Sequence, residues 1–85
     1  MANIAKSVNK VDGTSVVLCQ WQSNEKVFDV DVRKNGKFVE HITLWLTNNN
    51  KNTATPILEK RARRVYEALR NAYGCSCRVS MRRTK

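Results

Sequence analysis

The chain reads as a single small α+β domain, an antiparallel sheet with one face covered by a helix in the C-terminal half. Three observations lead there. Between Val27 and Arg33 apolar and charged residues alternate with the two-residue period of a half-buried strand. Between Leu58 and Ala72 apolar residues recur at steps of four and three, which makes the stripe of an amphipathic helix. Finally, 85 residues bury only a little over ~60% of the surface of the unfolded chain, so one sheet on one helix is about the core this length supports.

Residues 1–14 show no clean periodicity and are expected to form an irregular arm, with Val11-Asp12-Gly13-Thr14 as the turn into the first strand. From Ser15 to Gln22 the chain is β-branched and aromatic. Val17, Cys19 and Trp21 share one face, expected to be the core face, and Val16, Leu18, Gln20 and Gln22 share the other. Ser23-Asn24-Glu25-Lys26 is a turn. The next strand directs Phe28, Val30 and Val32 inward and Asp29, Asp31 and Arg33 outward. The third, Phe38 to Leu46, places Phe38, Ile42, Leu44 and Leu46 on one face and His41, Thr43 and Trp45 on the other.

The turn between these two strands sets their register. A two-residue Asn35-Gly36 loop with unbroken pairing puts Ile42 opposite Asp29 and mixes core with solvent residues. A three-residue loop, Lys34-Asn35-Gly36, with Gly36 in a bulge pairs Phe28 with Ile42 and Val32 with Phe38, and sets Asp29 against His41 and Arg33 against Lys37. The second keeps the apolar set together, at the cost of Glu40 opposite Val30, and is the expected register.

Residues 47–52 form a polar loop. Thr55-Pro56 signals a helix start, with Thr55 as N-cap, and Gly74 a stop after Tyr73. Leu58, Ala62, Val65, Leu69 and Ala72, flanked by Tyr66 and Tyr73, should cover the sheet. Cys75 to Met81 can add a short fourth strand, and residues 82–85 form a mobile basic tail.

Charge is the most informative feature of the chain. Of the net charge of +9, residues 1–50 carry only +1, whereas residues 51–85 hold ten basic residues against Glu59 and Glu67, a net +8. A near-neutral scaffold joined to a basic helix and tail is the footprint of a surface that meets a polyanion. A basic face kept for solubility alone explains it less well, because acids serve that purpose better than bases. Glu59 can pair with Arg63, and Glu67 with Arg63 or Arg70, whereas Lys60 and Arg61 have no acid at helical neighbour spacing and Arg64 only Glu67, for which Arg63 and Arg70 compete. These three are the first candidates for phosphate contact, with Arg63 beside them. Arg78, Arg82 and Arg83 supply a second anchor, and Arg33 and Lys37 a further one at the hairpin. The outward sheet face, with His41, Thr43 and Trp45, can stack bases or enter a groove, but Asp29 and Asp31 on the same face would repel phosphates.

Other chemistries find less support. His41 is the only histidine; as a general base it would need a second acid or a nucleophile at a recognisable spacing, and its expected neighbour Asp29 is an ordinary cross-strand partner. Cys19, His41, Cys75 and Cys77 could be assembled into a metal set, but Cys-x-Cys lies outside the usual zinc spacing, and small buried thiols are the expected reading. No cofactor is implied. No apolar run reaches the ~20 residues of a membrane span, and the N-terminal residues lack the apolar core of a signal peptide, so a cytoplasmic protein with reduced thiols is expected.

Three strands followed by a covering helix, with the Val32-Arg33-Lys34-Asn35-Gly36-Lys37 hairpin, are broadly similar over residues 27–73 to the small arm-type DNA-binding domains of tyrosine integrases. The similarity is one of fold, implies a sheet presented to DNA, and transfers no individual residue. The expected function is therefore non-enzymatic binding of nucleic acid, DNA or RNA, through the helix face and tail. The alternative is a protein-binding inhibitor or adaptor whose basic surface covers an acidic patch on its target. An exposed sheet edge also offers a route to a homodimer.

Overall fold

The structure, a computed structural model, describes residues 2–45 and 54–80. Among these residues five strands, β1 (Ala2–Val8), β2 (Ser15–Gln20), β3 (Val27–Lys34), β4 (Lys37–Trp45) and β5 (Cys77–Val79), form one antiparallel sheet in the order β4-β3-β2-β1-β5. The one helix among the described residues, α1 (Thr55–Ala72), lies across one face. The α+β class and the covering helix agree with the sequence. The sheet is larger than expected, because residues 2–8 form an inner strand rather than an irregular arm.

The helix-side core is built from Val16 and Leu18 of β2, Phe28, Val30 and Val32 of β3, Leu58, Ala62 and Tyr66 of α1, and Cys75. The β2 parity is thus the reverse of the expected one: Val16 and Leu18 face the helix, and Cys19 lies on the opposite face. Both alternating sets of β2 are largely apolar, so alternation alone does not choose between them. Cross-strand pairing to Val32 and Val30 does.

The β3–β4 hairpin departs from both registers considered above. Asn35 (φ 54°) and Gly36 (φ 77°) form a two-residue turn with both residues left-handed, and Lys34 pairs with Lys37. This is the turn whose twist suits adjoining strands and for which Asn-Gly is the preferred pair. Val39 is then an extra residue. Arg33 pairs with Phe38, but Val32 pairs with Glu40, Val30 with Ile42 and Phe28 with Leu44. The bulge restores the apolar set to the helix side and transfers Phe38 to the other face. Glu40, unexplained by the sequence register, sits at the rim of the helix side and accepts a 2.7 Å hydrogen bond from the Tyr73 hydroxyl.

Thr55 and Pro56 open α1 as expected, although Ala54 is the capping residue and no side chain caps it. Leu58, Ala62, Val65 and Leu69 face the sheet. Ala72 is exposed, because the last three-residue step carries it round to the rim, and Tyr66 is buried in the middle of the stripe rather than beside it. The helix ends in a Schellman-type turn. Cys75 N–H donates to the Arg70 carbonyl at 2.9 Å and Gly74 N–H to that of Asn71, with Gly74 left-handed at φ 67°. The β1–β2 turn is tied to the same place: the Asn9 side-chain amide donates to the Tyr73 carbonyl at 3.0 Å.

Beneath the helix, Ser7 of β1 is fully buried. Its hydroxyl pairs with that of Tyr66 and accepts from Arg70 Nε at 2.9 Å. A buried polar residue is satisfied by the helix it faces, and this blurred the apolar periodicity of β1.

Candidate nucleic-acid interface

Two surfaces carry the residues of interest, one on each side of the molecule. The outer surface of α1 follows from its helical period. With Leu58, Ala62, Val65 and Leu69 turned to the sheet, Lys60 and Arg64, one turn apart, point away from it and Arg61 flanks them. All three are exposed and form no ion pair with a described residue.

The remaining arginines of this half are engaged. Arg63 Nε donates to Glu59 at 3.2 Å, the expected partner. Arg70, only 14% exposed in its side chain, joins Ser7, Glu67 and the Ser76 carbonyl, so it clamps the helix to the sheet edge. Arg78 lies in β5, and its Nη2 reaches both oxygens of Glu67, at 2.9 and 3.0 Å. Those hydrogen bonds from Arg78, with the charges of Arg78 and Arg70, hold the Glu67 carboxyl below the ordinary glutamate value. The same contact with Glu67 raises the Arg78 guanidinium above its usual range. Glu67 thus offsets part of the charge of two arginines, and Arg78 is a tether for β5 more than an open cation. Arg82 and Arg83 lie outside the described residues. Arg33 and Lys37 are exposed at the hairpin, away from the outer helix surface.

The second surface is the sheet face opposite the helix, which no described element covers. Here the structure assembles a chain of side chains that sequence spacing did not show. Asp31 Oδ1 meets His41 Nδ1, and His41 Nε2 lies 2.9 Å from Thr43 Oγ1. The Thr43 hydroxyl donates to Asp29 Oδ1 at 2.7 Å, and Trp21 Nε1 donates to Asp29 Oδ2. Asp29 is 0% and Asp31 5% exposed, although they stand on the face that the helix leaves open. Cys19 is buried beside them; burial first, then the charges of Asp31 and Asp29, push its thiol up to about 11.

The order Asp31–His41–Thr43 is that of an acid, a base and a hydroxyl. However, Thr43 has one hydroxyl proton and gives it to Asp29, so its oxygen meets the ring as an acceptor and the ring is placed to donate there. The network is thereby suited to holding the ring and both carboxylates in place. Among the described residues no cluster of three or more His, Cys, Asp or Glu is placed to hold a metal ion. Cys75 belongs to the helix-side core and Cys19 to the opposite face, so the candidate set of cysteines is divided by the sheet.

Around this buried network the open face is aromatic and basic. Trp21 N–H pairs with the Val27 carbonyl and Val27 pairs with Trp45, so the two indoles flank Val27 on the same face. Phe38 stands at the other end, its ring edge-on to His41 at 6.0 Å and the Arg33 guanidinium 4.4 Å from its centre. Trp21, Phe38 and Trp45 are 37, 59 and 56% exposed. Lys6 lies on the same face, in the cross-strand row Lys6–Val17–Asp31–His41.

The chain matches no protein-family model, and no curated protein or solved structure matches it. No described helix is long and apolar enough to cross a membrane.

Proposed function

We propose that the protein is a non-enzymatic nucleic-acid-binding protein that holds phosphates with the outer surface of α1. The observation that supports this reading is the sorting of charge. Each acid of the helix is joined to an arginine, Glu59 to Arg63 and Glu67 to Arg70 and Arg78, while Lys60, Arg61 and Arg64 stay exposed and unpaired with any described residue. Exposed cations on a rigid helix neutralise phosphates and release their counterions, which makes binding steeply salt-dependent. Arg82, Arg83 and Lys85 follow the sheet edge in sequence and extend the same reading. The three cysteines are joined by no disulfide, which suits a reducing, cytoplasmic setting.

Fluorescence anisotropy with labelled duplex DNA, single-stranded DNA and RNA, each at ~50 and ~200 mM salt, tests it. Binding at low salt that collapses at the higher salt and weakens again in the double variant Arg61→Glu, Arg64→Glu is the expected result. No binding at low salt sinks the proposal and leaves an acidic protein surface as the partner of the basic half. The outer edge of β4, unpaired among the described residues, also offers a second copy a strand to join. Sedimentation that finds only monomer at all concentrations removes that part.

A further inference from the structure

We infer that the open sheet face is a stacking platform for an unpaired stretch of nucleic acid. This surface is separate from the outer helix surface and shares with the proposed function only the class of ligand. The objection that the sequence raised against it, two aspartates facing a phosphate chain, does not hold for the folded protein. Asp29 is covered by Trp21 and Thr43, and Asp31 by His41, so neither carboxylate is presented to a ligand. Lys6 and Arg33, on the same face, match the two buried charges.

What the face does present is a row of rings with a cation. Trp45, His41 and Phe38 follow one another along β4, Trp21 stands across from Trp45, and Arg33 is held over Phe38. At ~3.3 Å per residue the row spans on the order of 20 Å, room for a few bases in succession. Every base has a π-face, so such a row reads unpaired bases with little regard to sequence, and a guanidinium stacked on a ring adds a contact for base or phosphate. Two of the four rings are pre-oriented: the indole of Trp21 is tied to Asp29 and the imidazole of His41 to Asp31 and Thr43, so less side-chain freedom is lost on binding. A duplex hides its base faces and cannot use this surface.

The test uses the full chain, whose only tryptophans are Trp21 and Trp45. Tryptophan fluorescence and anisotropy are followed on titration with an oligonucleotide of about 12 residues as single-stranded DNA, as RNA of the same sequence, and as duplex. Salt is kept at ~150 mM, where the helix charges on the far side are screened. We expect either single strand to quench the tryptophans and the duplex not to. Trp45→Ala should weaken single-strand binding about tenfold or more, and Trp45→Phe should restore most of it, because the ring and not the indole nitrogen carries the contact. Circular dichroism confirms that both variants fold.

Three results overturn the inference: neither single strand quenches; Trp45→Ala binds as tightly as the parent; or the free protein sediments as a dimer that Trp45→Ala dissolves, which gives the face to a second copy. The two surfaces fail separately. Loss of binding in Arg61→Glu, Arg64→Glu with none in Trp45→Ala keeps the helix and overturns the platform, and the reverse pattern does the opposite.

Discussion

At the residue scale, the glycine that ends the helix and the aspartate under the sheet face show how narrowly single positions are determined. Gly74 is left-handed at φ 67°, and a Cβ there would stand 3.1 Å from Asn9 Nδ2, the atom that ties the β1–β2 turn to the helix end. Gly36 is equally left-handed but a Cβ would meet nothing within 4 Å. Both Gly→Ala changes therefore carry the backbone cost of about 1–2 kcal/mol, and Gly74→Ala adds the displacement of Asn9. Urea unfolding should rank Gly74→Ala below Gly36→Ala; equal losses would show that Asn9 yields freely. Asp29→Ala removes the acceptor of both the Trp21 indole and the Thr43 hydroxyl and should cost ~1–3 kcal/mol by the same measurement. Asp29→Asn keeps the shape and one carbonyl oxygen, and should cost less. Cys19 supplies a pH dependence. Its thiol is near 9.0 when unfolded and about 11 when folded, so the unfolded state loses its proton first as pH rises. The contribution to stability is complete below pH ~9 and is lost as pH climbs toward 11. Cys19→Ser, a hydroxyl that does not ionise in this range, should flatten that alkaline decline.

At the element scale, β5 depends on a contact made far from it in sequence. It is a three-residue strand paired, among the described residues, with β1 alone, and the bond from Arg78 to Glu67 ties it to α1. Because the Glu67 carboxyl is lowered in the folded state, that contribution is present above its ordinary value of 4.5 and is lost as pH falls through the lower, folded value. Protection of the Arg78 and Val79 amides, taken relative to their intrinsic exchange rates at each pH, should fall on acidification before that of β2 and β3, and Glu67→Gln should produce the same loss of protection at neutral pH. Simultaneous loss in all strands would show that the bridge does not hold β5. Such non-local pairings mark where the sequence stopped being legible. The α1 stripe and the β3 alternation were readable because each lies within one uninterrupted period. The Glu59–Arg63 and Glu67–Arg70 pairs were readable because they obey helical spacing. The parity of β2 was not, since both of its faces are largely apolar. Nor was β1, whose buried Ser7 is satisfied only by Tyr66 and Arg70, some sixty positions away. The hairpin register failed for a different reason. Neither a two- nor a three-residue loop fits with unbroken pairing, and the protein uses the shorter loop with a bulge at Val39, which a choice between two unbroken ladders could not contain. The aromatic face was legible in part, as His41, Thr43 and Trp45 on the outward side; the two errors hid its other rings, because it also needs Phe38 and Trp21 on the side away from the helix.

At the scale of the whole molecule, charge and aromatic surface are separated by the sheet. Lys60, Arg61 and Arg64 point outward from α1 on one side, and Trp21, His41, Phe38 and Trp45 lie on the other. A short oligonucleotide stacked on the rings has no path to the outer helix surface, so the two contributions should separate in their salt dependence. For a single strand, log K falls with log salt by about 0.7 for each phosphate neutralised. If the outer helix surface takes phosphates, replacing Arg61 and Arg64 by Gln should reduce that slope by about 1.4 for an oligonucleotide long enough to wrap the molecule. It should leave it unchanged for one that covers only the sheet face. Trp45→Ala should lower affinity by a similar factor at every salt concentration, with the slope retained, because stacking releases no counterions. A slope that falls with Trp45→Ala would mean that the ring positions a phosphate contact, with Arg33 beside Phe38 as the nearest cation to supply it. A slope insensitive to Arg61 and Arg64 at every length would place the electrostatic contact elsewhere in the basic half and remove the outer helix surface from the mechanism.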